Sequence, residues 1–170
     1  LLMTKAALGL FDDPYRGCDS ERERLVVGSR EHRDLAREAA VKSIVMLKNE
    51  GGVLPLKSGG QRIALIGPFA DDIDNLFGPW TIWGDESRRI SLEAGFREAM
   101  ANPSLLTVVR GADVEAPVVG GIEAAIAAAQ HADVVVLALG ESSRMSGEAQ
   151  SRTEIDIPAP QRALAEAVAA

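Results

Sequence analysis

The segment spanning residues 140–157 is the first place where side chains could do chemistry. It has no apolar periodicity, so the sequence predicts a polar loop. Its first part, residues 140–153, carries two carboxylates and two guanidinium groups, at Glu141, Arg144, Glu148 and Arg152. A carboxylate on such a loop can project into a cleft and donate a proton, and Gly147 beside it would let a ligand approach closely. The plainer interpretation is a solvated surface loop.

Both tryptophans of the chain, Trp80 and Trp83, fall within one short segment, residues 78–84. Only 4% of the residues are aromatic, so two indoles in one predicted loop are unusual. We expect Trp80 to be structural and to plug an edge of the core. Trp83 is flanked by glycine and acidic residues, and an exposed indole there would suit stacking on the C–H face of a sugar.

Composition excludes several classes of partner. The net charge of −7 disfavours nucleic acid, which a basic surface would have to neutralise. No apolar run approaches the roughly 20 residues of a membrane span. Cys18 is the single cysteine, and His32 and His131 are far apart in sequence, so we expect neither a disulfide framework nor a metal site.

Glycine motifs for cofactors are missing as well. The predicted strand at residues 63–67 is followed by neither a dinucleotide-binding fingerprint nor a phosphate-binding P-loop. A nucleophile elbow of the Gly-x-Ser-x-Gly type does not occur either. We therefore expect no cofactor, and no serine hydrolase triad.

Around these candidate residues the sequence predicts helices and strands. In residues 31–49, Ala36, Ala40, Ile44 and Leu47 recur at helical spacing, which predicts a helix ended by the two glycines at 51–52. Apolar, β-branched runs predict strands, and they alternate with predicted helices. The strands are 63–68, 105–109 and 133–139, and the helices are 91–100, 122–130 and a last helix opened by Pro160.

Alternating strands and helices favour an α/β fold with a mainly parallel sheet. The first strand is apolar throughout, which indicates burial on both faces. Ligands of open parallel sheets collect at the carboxyl ends of the strands. The loops that begin at Gly67 and Gly140 both leave from such ends.

These segments together resemble bacterial family-3 glycoside hydrolases, specifically periplasmic-type β-glucosidases. The resemblance runs in order along essentially the whole chain. It is carried by residues 9–15, 39–49, 54–56 and 63–68, by Trp80 and Trp83, by residues 132–136 and 146–148, and by Arg152, Ile157, Pro158 and Gln161. Each string is weak alone, and the ordered set is specific.

The resemblance implies a fold and a domain organisation. Residues 1–30 would be a linker from an N-terminal barrel domain, and residues 31–170 part of a C-terminal three-layer α/β sandwich. The implied activity is retaining hydrolysis of β-linked glucosides and oligosaccharides by two carboxylates. Glu148 matches the acid/base glutamate, while the aspartate nucleophile belongs to the barrel and has no matching motif here. The chain alone is therefore expected to be inactive.

The resemblance also implies substrate-binding roles for Trp83, Ser146 and Arg152, and a periplasmic or secreted location. One departure is that many relatives continue the acid/base loop as Gly-Glu-Gly-Tyr-Asp-Arg, whereas here Ala149, Gln150 and Ser151 follow Glu148. Glu141 therefore remains a rival for the acid/base role.

Two alternatives stay open from the sequence. One is a non-catalytic α/β module that binds sugars or a partner without hydrolysis. The other is a different substrate class within the same family, since some members cleave β-xylosides, α-arabinosides or N-acetylglucosaminides. Some of the last group place the acid/base in the barrel, which would leave Glu148 without that role.

Overall fold

The computed structural model describes residues 1–57, 59–81, 84, 87 and 89–170. They form two compact units, Leu1–Leu54 and Pro55–Ala170. Among the described residues, no helix has both the length and the apolar character that crossing a membrane requires.

The first unit is helical. It contains α1 (Leu2–Ala7), α2 (Ser20–Val26) and α3 (Arg30–Ser43). The side chains just before α2 and α3 cap their free N–H groups. Asp19 Oδ1 accepts from the backbone N–H of Arg22 at 2.9 Å, and Ser29 Oγ accepts from that of His32 at 3.3 Å.

The helix predicted over residues 31–49 is shorter than expected. It ends at Ser43, and the next residue, Ile44, is extended with φ −71° and ψ 126°. The Ser43 hydroxyl donates to Ala40 O at 2.8 Å, and two β-branched residues follow, both of which disfavour continuing a helix. The glycines at 51–52 belong instead to a short 3₁₀ turn, Glu50–Gly52.

The second unit is an α/β layer structure. Its strands are β1 (Ile63–Ile66), β2 (Leu106–Val109) and β3 (Val134–Leu137), and its α-helices are α4 (Leu92–Ala99), α5 (Gly121–Gln130) and α6 (Ala159–Ala169). The strands are parallel in the order β2-β1-β3, and Ile63 pairs with Leu106 on one side and Val134 on the other. This confirms the predicted α/β fold.

Side chains of the central strand alternate between two apolar clusters. Ile63 and Leu65 pack on the side of the sheet where α4 contributes Phe96. Ala64 and Ile66 pack on the other side, where the apolar partners come from α5 and α6. Every residue of β1 is buried, as its continuous apolar sequence predicts. The helices therefore cover both faces of the sheet, in three layers.

An ion pair joins two strands at the amino end of the sheet. Arg62, just before β1, donates from its backbone N, Nε and Nη2 to the carboxylate of Asp133, just before β3, at 2.8, 3.2 and 2.6 Å. Hydrogen bonds from the Arg62 side chain and backbone lower the pKa of Asp133 to about 2. The amino ends of β1 and β3 are thus fixed directly to each other.

Candidate functional site

The two loops at the carboxyl end of the sheet start from a very close backbone approach. Gly67, directly after β1, has φ +131° and donates to Val109 O at 3.0 Å. A Cβ at this position would lie 2.9 Å from the carbonyl carbon of Ala138 and still closer to its oxygen. Phe69 N then donates to the same Ala138 oxygen at 3.3 Å. Only glycine combines this φ with this spacing.

The base of the loop after β3 is held by a buried glutamine. Gln161, at the start of α6, has no exposed surface. Its Oε1 accepts from Gly140 N at 2.9 Å, and its Nε2 donates to Gly140 O at 2.8 Å and to Val114 O at 2.9 Å. The side-chain amide is fully satisfied, so the point where the loop leaves the sheet is fixed.

Glu148 lies in a tight turn of this loop. Gln150 N donates to Gly147 O at 3.3 Å, which closes the turn over Glu148 and Ala149. Ala149 has φ 62°, at the third position of the turn, where type II turns need a positive φ. Gly147 has φ +112°, and a Cβ there would lie 2.9 Å from Pro79 Cβ. The turn therefore packs against the loop after β1 and leaves Glu148 exposed.

Trp80 is exposed rather than buried, so the expectation that it plugs the core is wrong. Its side chain lies in a turn closed by Thr81 N donating to Gly78 O at 3.2 Å, and 68% of the residue is accessible. Proline at the second position favours such a turn, and it places Trp80 at the corner. The Gly78-Pro79 pair in the sequence could have indicated this turn, and with it an exposed Trp80.

The two loops line an open cavity of about 810 Å³. Its lining includes the expected Glu148 and Ser146, together with the exposed Trp80. The remaining lining residues are Asp74, Phe77, Gly78, Pro79, Thr81, Arg89, Ser143, Arg144, Ala149 and Gln150. The cavity thus combines an exposed carboxylate with an aromatic surface and polar groups, which suits a polar ligand with an apolar face.

Arg89 is a cavity residue that the sequence did not indicate. Its side chain is only 6% exposed. Nη1 donates to Ile73 O at 2.9 Å and to Asp74 Oδ1 at 3.3 Å, and Cζ lies 4.8 Å from the centre of the Phe77 ring. A buried guanidinium that stacks on an aromatic ring holds the cavity wall in place.

Arg152 lies in the loop after β3, as Glu148 does, but outside the cavity lining. Its Nη1 forms an ion pair with Glu141, and its Nη2 donates to Asp156 O at 3.0 Å. Glu141 is also absent from this lining, unlike Glu148. Trp83, the remaining predicted binding residue, lies outside the described residues. In the described part of the chain, no three His, Cys, Asp or Glu side chains gather as a metal site would need.

Among the described residues, two carboxylates line the cavity, and they differ in their partners. Asp74 is engaged by Arg89, whereas Glu148 projects from its turn without an ion pair among those found in the described residues. An exposed carboxylic acid in such a cavity can exchange a proton with a bound molecule. Hydrolysis with retention would need a second carboxylate as nucleophile, about 5 Å away across the scissile bond.

The sequence and the fold match those of known proteins. The family model described as the glycosyl hydrolase family 3 C-terminal domain matches residues 44–170. The chain is 36% identical to a periplasmic beta-glucosidase of Salmonella typhimurium, over 100% of this chain and 25% of that protein. It is 34% identical to a beta-xylosidase of Formosa agariphila, over 99% of this chain and 24% of that protein.

A solved structure agrees with these matches. The crystal structure of a beta-glucosidase from Listeria innocua in complex with glucose superposes with a TM-score of 0.84 at 40% identity. The match covers 96% of this chain and 22% of the other. The chain therefore spans about a quarter of the length of the relatives it matches.

Proposed function

Because the chain belongs to glycoside hydrolase family 3, we propose that it supplies the acid/base glutamate, Glu148, to a retaining exo-acting β-glucosidase. The observation that carries this proposal is the exposed Glu148 on a packed turn, which lines the same cavity as the exposed Trp80. A domain outside these 170 residues, an N-terminal barrel, would supply the aspartate nucleophile. The substrates would be β-linked glucosides and oligosaccharides, met in the periplasm or outside the cell.

In the first half of the proposed reaction, Glu148 enters protonated. The aspartate carboxylate attacks the anomeric carbon, and the bond to the leaving oxygen breaks. Glu148 gives its proton to that oxygen, so the leaving group departs as a neutral alcohol. The sugar is then esterified to the nucleophile, and Glu148 is ionised.

In the second half, water takes the place of the departed alcohol. Glu148 now accepts a proton from the water. The water oxygen attacks the anomeric carbon at the same time, and the ester bond to the aspartate breaks. Glu148 ends protonated and the nucleophile ends ionised. An exposed carboxylate suits this double role, since it must reach both the leaving group and the water.

Three further residues are proposed to bind the substrate. Ser146 lines the cavity and could donate its hydroxyl to the sugar. The proposal for Trp83 rests on the family resemblance, and the exposed Trp80 offers an aromatic surface in the same loop. Arg152 is paired with Glu141, so a sugar hydroxyl would have to share its guanidinium with that carboxylate.

The acid/base proposal is tested with Glu148→Gln in the full-length enzyme. Glutamine keeps the shape but can neither donate nor accept the catalytic proton. We expect turnover of cellobiose, whose leaving group is the 4-hydroxyl oxygen of a second glucose, to fall by roughly 10²–10⁴-fold. An activated nitrophenyl β-glucoside should be affected far less in its first step, and added azide, which needs no base, should restore its turnover.

Glu141→Gln is the matched control, since it makes the same substitution in the same loop outside the cavity. We expect it to show neither the leaving-group dependence nor azide rescue. If Glu141→Gln gave both effects and Glu148→Gln gave neither, the assignment of Glu148 would be wrong.

β-Xyloside hydrolysis is the second candidate activity. It is favoured by the nearly equal identities to a beta-glucosidase and a beta-xylosidase, 36% and 34%. The ratio of kcat/KM for nitrophenyl β-glucoside to that for nitrophenyl β-xyloside decides between the two. A ratio well below one would replace glucosides by xylosides as the proposed substrates.

A further inference from the structure

We propose that Asn75 is a positioning residue that holds the loop of Glu148 in place at the cavity. This inference rests on the acid/base role proposed for Glu148. Asn75 lies in the short 3₁₀ turn Asp74–Leu76, in the loop after β1. Its side chain reaches the loop after β3 and contacts it directly.

The Asn75 amide is bonded at both of its ends. Its Oδ1 accepts from the backbone N–H of Ser143 at 2.8 Å. Its Nδ2 donates to Asp72 Oδ1 at 2.9 Å, while Asp72 Oδ2 accepts from the Asn75 backbone N–H at 2.9 Å. A backbone N–H can only donate and an ionised carboxylate can only accept, so this geometry fixes the orientation of the amide.

The Ser143 contact differs in kind from the turns inside the loop. Met145 N donates to Ser142 O at 3.0 Å, which is a bond between near neighbours. The bond from Ser143 to Asn75 instead spans 68 residues and joins two separate loops. It is also partly buried, which makes it stronger than the same bond in water.

The contact lies close to Glu148 along the chain. Ser143 precedes Glu148 by five residues, and both residues line the cavity. Near Glu148 itself, Gly147 packs against Pro79 of the loop after β1. Asn75 and Pro79 thus hold the loop from one side at two points, and the carboxylate follows the second of them.

Loss of the Asn75 contact should therefore displace or loosen Glu148. A misplacement of about 1 Å in a catalytic group can cost roughly 10²-fold in rate. Asn75 itself is not among the residues that line the cavity. The effect should accordingly appear in kcat, with KM changing little, and should be larger for poor leaving groups, which need the acid most.

The test compares four variants of the full-length enzyme. Asn75→Ala removes both side-chain bonds. Asn75→Asp keeps an acceptor for Ser143 but places a carboxylate against that of Asp72. Asp72→Asn leaves two amides whose orientations compete. The double variant Asp72→Asn/Asn75→Asp exchanges donor and acceptor, and it can make all three hydrogen bonds again.

We expect kcat for cellobiose to fall roughly 10- to 100-fold in Asn75→Ala and Asn75→Asp. The fall for nitrophenyl β-glucoside should be several-fold smaller, and azide should restore part of its turnover. The double variant should recover most of the cellobiose activity. A purely structural role would lower both substrates equally through the amount of folded enzyme, which the Tm of each variant reports.

Two outcomes would overturn the inference. If Glu148→Gln shows leaving-group dependence and azide rescue while Asn75→Ala lowers both substrates equally, the positioning role is wrong and the role of Glu148 stands. If Glu148→Gln shows neither effect, the acid/base proposal fails, and the inference fails with it.

Discussion

The two ends of the same parallel sheet are built on opposite principles. At the amino end, Arg62 and Asp133 join β1 and β3 by three hydrogen bonds from residues directly next to the strands. At the carboxyl end, loops of many residues leave the strands and meet again through individual contacts, such as Ser143 to Asn75 and Gly147 against Pro79. The amino end is thus a short fixed joint between two strands, whereas the loops of the carboxyl end line a cavity.

The difference shows where the chain places its unusual backbone. Among the described residues, Ala149 is the one non-glycine residue with a positive φ, and it lies in a loop of the carboxyl end, as do Gly67 and Gly147. Such conformations cost of order 1–3 kcal/mol at residues other than glycine and persist only where the surroundings impose them. Close approach, packed turns and an exposed carboxylate come together there, as expected of a site rather than of a joint.

The strongest way to break the carboxyl end is Gly67→Ala. The added Cβ would meet the Ala138 carbonyl, and φ +131° is unfavourable for alanine. We expect a loss of about 4 kcal/mol in the free energy of unfolding, measured by urea denaturation of the 170-residue protein.

Gly95→Ala is the matched control for this change. Gly95 lies within α4, and nothing lies within 4 Å of its Cβ position. The same substitution should therefore stabilise the protein by up to about 1 kcal/mol. If both variants lost stability equally, the close approach at Gly67 would not be what holds the loop base.

Gln161→Leu should have the next largest effect. It removes the partners of Gly140 N, Gly140 O and Val114 O, and leaves these backbone groups unsatisfied in a partly buried place. We expect a loss of about 3 kcal/mol in the same assay. Gln130→Leu, at the exposed end of α5, should stay within about 0.5 kcal/mol of the unchanged protein. If Gln161→Leu left the free energy of unfolding unchanged, the loop base would not depend on the hydrogen bonds of Gln161.

The sequence was enough to predict the sheet and its order of elements. β1, for example, is an apolar run that must be buried on both faces, and burial of every residue from Ile63 to Ile66 follows. The end of α3 was missed because Ile44 and Leu47 keep helical spacing beyond Ser43. Periodicity shows which apolar residues would share one face if the helix continued. The β-branched residues after Ser43 disfavour that continuation, so the helix ends there.

The candidate site was predictable in part. Glu148 and Ser146 were found from loop composition and resemblance, and both line the cavity. Asn75 and Arg89 were missed, because their importance depends on contacts between loops that no periodicity describes. A bond across 68 residues, such as that from Ser143 to Asn75, depends on how two irregular segments turn, which is set by tertiary packing.

The smallest effect is expected at the amino end, from Asp133→Asn. Arg62 lowers the pKa of Asp133 to about 2, from an ordinary value of 3.8. The pair therefore stabilises the folded state fully above the ordinary pKa, and this contribution is lost as the pH falls towards 2. Because the pair is exposed to solvent, its contribution is small and is screened by salt.

We therefore expect the unchanged protein to have a slightly higher Tm than Asp133→Asn at pH 7. This difference should stay constant down to about pH 5 and then shrink between about pH 4 and pH 2. In an Arg62→Gln background the guanidinium is gone, so Asp133→Asn should change the Tm less, with little dependence on pH. A Tm difference that grew on acidification would mean that the carboxylate is disfavoured in the folded state, and that the amino end is not the joint its geometry indicates.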